Sequence, residues 1–308
     1  MRAICIGECM AELRQANRRL YALGFAGDAF NVAVYLKRSA PHVRVDFLTA
    51  TGESLLSRGM RECFAAEGVE DGLAFIAKDQ EIGLYMIELD AAGERRFHYW
   101  RSASAARCWF RLLVQNGGAD RLAGADLICL SGVSLAILPD DTARAAAIEL
   151  LGSLKNRVGK IAFDANLRPA LWRNLDAART AIAPMIRLAD IFRASGEDGA
   201  LLIGAREPEI QIEALRAAGA REIALTLGGQ GCIVATKVCT VALPALPVEV
   251  KDTSGAGDAF TGVYLAARLR GAEPVDAAKT ALKVASHVVT YPGAIAPREI
   301  SHPEAMRC

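Results

Sequence analysis

The sequence predicts an α/β fold: a mostly parallel central sheet with helices on both faces, joined to a small β-sheet lid. Three observations carry that prediction. Residues 3–6, 127–130, 161–163, 191–193 and 223–227 are short, nearly continuous apolar runs, as expected for strands buried on both faces. Amphipathic helical stretches alternate with most of them, and such alternation gives parallel strands joined by right-handed crossovers. Residues 82–101 break the rhythm with two β-rich runs flanking residues 90–94, which read as a hairpin turn.

In chain order, the first strand at 3–6 gives way to short alternating pieces over 8–25, arranged around the polar turn Gln15–Arg19. A helix starts at about Asp28, with Phe30, Ala33, Val34 and Leu36 apolar and Lys37-Arg38 at its end. A strand at 43–48 and a helix at 54–67, stopped by Gly68, follow. After the lid runs come helices at 140–154, 176–187 and 208–218 between the buried strands. Residues 232–250 read as closing strands, and helices at 258–270 and 274–289 end the pattern. The expectation is a single α/β domain over residues 1–308, with lid strands drawn from about 9–25 and 82–110.

Composition narrows the function. Across 308 residues, 52% are hydrophobic and 23% charged, which supports a sizeable core and argues against disorder. A formal net charge of +1 gives no sign of a nucleic-acid or acidic-membrane partner. No apolar run approaches the roughly 20 residues that span a bilayer, and the apolar start is too short for a signal peptide, so a cytoplasmic location is expected. Eight cysteines contain no Cys-x-x-Cys pair, and Cys5, Cys129 and Cys232 lie in apolar runs as small core residues. The four histidines show no metal-ligand spacing.

Ligands of open α/β sheets bind outside the carboxyl ends of the strands, so the loops after the strands are where chemistry belongs. The stretch from Lys251 to Gly262 is a tight glycine loop running into a helix, where unpaired N–H groups and the helix dipole suit a phosphate. Asp258 opens that helix; the dipole favours its ionised form, ready to accept a proton. Alone, the loop reads equally as an Asp-capped turn. Gly27, Asp28, Asn31 and Glu12 offer hydrogen bonds to a polyhydroxylated ligand, although Asp28 taken alone is better read as an N-cap. Arg168, at a strand end beside Pro169, is placed to grip a carboxylate, and Arg101 can do so from the lid side. The Leu225–Gly231 run lies along nucleotide phosphates or is a plain hairpin. Walker-type, dinucleotide and nucleophile-elbow motifs are absent.

Asp252-Thr253-Ser254-Gly255-Ala256-Gly257-Asp258 resembles the C-terminal signature of the ribokinase-like (PfkB) carbohydrate kinases. Residues 6–13, 27–36, 93–101, 130–138, 163–169 and 293–299 extend the likeness along nearly the whole chain, toward the branch acting on 2-keto-3-deoxygluconate. The resemblance implies a three-layer ribokinase-like sandwich and phosphoryl transfer from ATP, with Mg²⁺, to the C6 hydroxyl of that sugar acid. It implies Asp258 as the base, with Gly255, Ala256 and Gly257 stabilising the transferred group. Gly27, Asp28, Asn31, Glu12, Tyr85, Tyr99 and Arg101 would hold the sugar, and Arg168 its carboxylate. Ser195, Thr226, Gly228 and Gly231, with Gly255 and Gly257, would meet the nucleotide; no protein metal ligand is assigned. Three positions depart from the family pattern: Ala26 replaces a glycine, Ser195-Gly196-Glu197-Asp198 replaces Asn-x-x-Glu, and Leu167 stands in the loop before Arg168. A fructokinase-like enzyme and a catalytically silent sugar-binding protein are the alternatives. Exposed lid edges and the apolar Leu84, Met86 and Phe97 point to a homo-oligomer formed through the lid.

Overall fold

The computed structural model describes residues 1–17, 19–89 and 95–298. Its strands are β1 (Arg2–Ile6), β2 (Met10–Gln15), β3 (Tyr21–Ala26), β4 (Arg44–Thr51), β5 (Ala74–Ile76), β6 (Leu84–Leu89) and β7 (Arg95–Trp100), then β8 (Leu127–Ser131), β9 (Lys160–Asp164), β10 (Ile191–Ser195), β11 (Ile223–Thr226), β12 (Cys232–Ala235) and β13 (Thr240–Leu243). The helices are α1 (Asp28–Ser39), α2 (Leu55–Glu67), α3 (Trp109–Gln115), α4 (Gly132–Ala136), α5 (Asp141–Ser153), α6 (Leu175–Leu188), α7 (Gly196–Ile203), α8 (Pro208–Ala217), α9 (Ala256–Leu269) and α10 (Pro274–Val288). Nine strands form the main sheet in the order β13-β12-β11-β10-β9-β8-β1-β4-β5. It is parallel from β11 to β5, with β12 and β13 antiparallel at one edge. A separate four-stranded sheet, β3-β2-β6-β7, is the small sheet expected outside it.

The pleat sorts side chains by size. Ile4, Ile6, Ile128, Leu130, Ile161 and Phe163 go to one core, while Ala3, Cys5, Cys129 and Ala162 go to the other. The small residues let α1 and α9 lie close to the sheet, and the buried cysteines have the core role expected of them. Gly262 brings α9 directly onto α1: a β-carbon there would stand 2.6 Å from the Val32 carbonyl oxygen. Asp28 and Asp258 lie in the first turns of those two helices, so their close crossing fixes the distance between the two carboxylates.

Local signals end the helices as the sequence indicates. The Ser54 side chain accepts from the Ser57 N–H, and Gly68 closes α2 at φ 71°. Three expectations need correction. Strand structure in the small sheet stops at Trp100; residues 105–108 are a 3-10 turn and α3 follows, because Ala105, Ala106, Trp109, Leu112 and Leu113 are buried in the main body. The closing strands end at Leu243, before Pro244 and Pro247 interrupt pairing. Short helices α3, α4 and α7 occupy stretches to which the sequence assigns no helix. The hairpin turn expected at 90–94 lies outside the described residues. Among the described residues, no helix is long and apolar enough to cross a membrane.

Candidate active site

The carboxyl ends of β8, β9, β10 and β11 converge beneath the start of α9. Gly255 precedes the helix at φ 72°, and a β-carbon there would lie 2.3 Å from the Ala294 carbonyl oxygen, so glycine is needed on both counts. Asp252 ties the loop down by accepting from the N–H groups of Ser254 (2.9 Å) and Gly293. The N–H groups of Gly257 and Asp258 open the first turn and have no carbonyl four residues back inside the helix. That of Ala256 is turned on the Thr253 carbonyl at 3.3 Å, so it is less free than its neighbours.

Asp258 keeps part of its surface open, while protein surrounds its carboxylate. Desolvation by that surround, with the charge of Asp28 next, pushes its pKa up to about 7. The dipole expectation is therefore overturned: burial outweighs the helix terminus. Asn31 Nδ2 donates to Asp258 Oδ2 at 2.7 Å and works in the opposite direction. The arrangement leaves a carboxylate able to take up a proton near neutral pH.

Asp28 is not an N-cap. Gly27 occupies that position without a side-chain bond, and Asp28 Oδ2 instead accepts from Ser131 Oγ (2.5 Å) and Asn166 Nδ2 (2.8 Å). Asn166 is the only non-glycine residue with positive φ among the described residues, at 26°, a strained setting held where its amide meets Asp28. A β-carbon on Gly27 would stand 2.3 Å from the Glu8 carbonyl oxygen, so no side chain fits between this turn and the loop after β1. The methyl of Ala26 is buried with Met10, Tyr85 and Ile87, and Leu167 is buried in the main core. Neither departure places bulk in the site.

The small sheet brings a second group of polar residues. Tyr99 is 52% exposed, with the Arg101 guanidinium 5.9 Å above its ring. Burial raises the Tyr99 pKa, while the positive charges of Arg101 and Arg168 oppose that rise. Arg168 is exposed, as an anion grip requires. Arg101, in contrast, is already ion-paired with the buried Glu8, which also accepts from Ser104 Oγ at 2.5 Å. Glu12 and Tyr85, both expected as sugar ligands, are bonded to one another, and Arg14 lies 2.9 Å from Glu12.

Ser195, Thr226, Gly228 and Gly231 line one cleft of about 740 Å³ together with Thr253, Ala256 and Gly257. Its volume lies in the ordinary range for small-molecule sites. Leu246, Pro247, Val250, Leu282 and Val289 give it apolar walls that the sequence reading missed. Also missed were Ser131, Asp164, Asn166 and Arg193. Ser131, Asp164 and Asn166 stand at or just past the end of a buried strand, and that rule of position could have found them, whereas Arg193 lies in the middle of β10.

Residues 2–301 match the pfkB family carbohydrate kinase. The chain belongs to that family. It is 38% identical to 2-dehydro-3-deoxygluconokinase of Dickeya dadantii over 96% of both chains. It is 36% identical to the enzyme of the same name from Escherichia coli, again over 96% of each. Among solved structures, aminoimidazole riboside kinase from Salmonella enterica, complexed with aminoimidazole riboside and an ATP analog, has the same fold. Its TM-score is 0.84, with 24% identity over 99% of this chain and 97% of that one. The pfkB kinase fold thus accounts for the nine-stranded sheet, the separate small sheet and the cleft between strand ends and α9.

Proposed function

We propose that this carbohydrate kinase transfers the terminal phosphoryl group of ATP to the C6 hydroxyl of 2-keto-3-deoxygluconate, also called 2-dehydro-3-deoxygluconate. The observation that carries the reading is the position of Asp258. It opens the helix whose first residues line the nucleotide cleft, and its carboxylate joins Asn31 and Asp28 on the opposite side. A hydroxyl bound beside Asp28 and Asn31 would give its proton to Asp258 as its oxygen attacks the terminal phosphorus. The N–H groups of Gly257 and Asp258, with Gly255 shaping the turn, would face the oxygens of the moving phosphoryl group. Gly228, Gly231, Ser195 and Thr226 would hold the nucleotide.

The sugar acid, rather than a neutral ketose, is supported by Arg168, which is exposed and whose charge acts on Tyr99, whereas Arg101 is already paired with Glu8. The curated relatives that match nearly the whole chain carry the same substrate in their names. Glu12 and Tyr85 then act as a bonded pair that shapes the lid wall. The residues fit Mg²⁺ arriving with the nucleotide. Glu197 lines the cleft, Asp198 is spent on Ser195 and the Leu167 N–H, and no metal-holding group of three ligands occurs among the described residues. That donor set suits a cation held chiefly by phosphates and water. Bound there, it would neutralise phosphate charge.

The small sheet leaves Tyr21, Leu23 and Trp100 exposed on one face, a surface suited to a second copy of the chain, whereas Phe97 and Tyr99 lie on the opposite face with Tyr85. Leu84 and Met86, expected there, are half-buried. A coupled ADP-release assay with 2-keto-3-deoxygluconate, 2-keto-3-deoxygalactonate and fructose tests the function. The sugar acids should be turned over far faster than fructose; preferential turnover of fructose would replace this reading.

A further inference from the structure

A buried guanidinium stands under the transfer loop, and neither the family signature nor the sugar contacts account for it. Arg193 is the third residue of β10, paired in register with Asp164 of β9. Its Nη1 donates to both Asp164 oxygens, at 3.0 and 3.3 Å, and Nη2 donates to Thr226 Oγ1 at 2.7 Å. Nε is buried with no hydrogen-bond partner. A β-carbon on Gly257 would come within 2.8 Å of Nη2. The guanidinium therefore rises directly beneath the start of α9, and glycine at 257 makes room for it.

The cation also faces the nucleotide cleft. Its walls include two arginines, Arg193 and Arg206, and Arg206 is exposed to solvent. Arg193 is fixed between strands, beside Thr226 and Gly257. Asp164 takes only one nitrogen of the guanidinium, Nη1, which leaves Nη2 turned toward Thr226 and Gly257. Nη2 carries two hydrogens, and Thr226 takes one of them. An incoming triphosphate would meet Asp28, Asp164 and Asp258 across the transfer point, so a fixed positive charge at its side has a clear electrostatic purpose.

We propose that Arg193 is a catalytic cation of the transfer step: its Nη2 contacts the terminal phosphate of the bound triphosphate beside the N–H groups of Gly257 and Asp258. The proposal rests on the kinase reading above. As the sugar oxygen bonds to the terminal phosphorus, its proton passes to Asp258. The bond from phosphorus to the bridging oxygen breaks with its electron pair on ADP. Arg193 keeps its proton throughout and follows the phosphoryl oxygens, whose charge is shared during transfer.

The test compares wild type, Arg193→Met, Arg193→Lys and the double variant Asp164→Asn/Arg193→Met. Calorimetry measures their affinities for ADP and for the β,γ-imido analogue of ATP, and turnover is followed with 2-keto-3-deoxygluconate. Arg193→Met should weaken the imido analogue about tenfold, ADP by less than about threefold, and lower kcat by about 100-fold or more, with partial recovery in Arg193→Lys. The double variant removes the unpaired carboxylate, and should restore folding without restoring the preference for the triphosphate. If either methionine variant keeps the wild-type ratio of the two affinities, Arg193 is only the partner of Asp164 and the proposal falls. Loss of that ratio in a protein whose wild type ignores sugar acids would support Arg193 and remove only the substrate assignment.

Discussion

The two sides of the candidate site are built by different means. On the side proposed for the sugar, functional groups are bonded to functional groups: Asn31 to Asp258, Ser131 and Asn166 to Asp28, Tyr85 to Glu12, and Arg101 to Glu8. On the side proposed for the nucleotide, glycines, a helix start and apolar side chains such as Leu246, Val250 and Leu282 make up much of the wall, with Arg193 as the buried charge set among them. One region specifies its ligand by charge and hydrogen bonds, the other by shape and backbone. Arg193 apart, deleting a single polar side chain should therefore cost much more on the sugar side, and that asymmetry can be measured.

The largest effect is expected at Asp258. Asp258→Asn should lower kcat by roughly 10²–10⁴-fold, the usual contribution of a general base, and leave ATP affinity nearly unchanged. In the wild type, kcat/KM should fall about tenfold per pH unit below a midpoint near 7, because only the deprotonated carboxylate accepts a proton. Asp28→Asn removes the second-largest cause of the raised pKa, after burial, and should move that midpoint to lower pH. Stability carries the same signature with a definite sign. A carboxyl whose folded pKa lies above its unfolded value contributes stability at low pH, and loses it as pH rises through about 7. Asp258→Asn should thus raise Tm relative to wild type at pH 8, with a smaller gain at pH 5. An equal gain at both would mean that the carboxylate is not held in the uncharged form by its surroundings.

Next in size is Arg168→Ala. Loss of an exposed anion grip should raise KM for the sugar acids about tenfold and leave KM for fructose nearly unchanged. Equal changes for both would show that Arg168 does not meet the carboxylate. Arg168 also shows how far the sequence could be read. A cation at a strand's carboxyl end beside proline is a local pattern, as is a glycine loop before a helix, and both lie where they were expected. Partnerships across the chain are not local. Tyr85 and Glu12 are 73 positions apart, and Arg101 and Glu8 are 93 apart, so nothing in the sequence revealed that these groups were already engaged with each other. The main strands and long helices were legible because burial imposes a period over many residues. Helices α4 and α7 were not, since each begins with glycine and runs for eight residues or fewer. Arg193 was read as the end of an apolar strand, and only the fold brings it beneath Gly257.

The smallest effect is expected on the nucleotide side, at Ser195. Its hydroxyl is oriented inward: it accepts from the Asp198 N–H at 3.0 Å and donates to Asp198 Oδ2 at 2.7 Å, and the Ser195 N–H donates to Asp198 Oδ2 at 3.0 Å to complete a capping box on α7. Asp198 Oδ1 in turn accepts from the Leu167 N–H at 2.8 Å, which links the nucleotide wall to the loop before Arg168. Ser195→Ala should therefore act as the loss of a helix cap, lowering stability by about 1 kcal/mol. KM for ATP should change by less than about threefold, since a backbone-built cleft loses no contact that its shape depends on. A much larger rise in KM, with Tm unchanged, would place the Ser195 hydroxyl on the nucleotide and remove the contrast between the two sides.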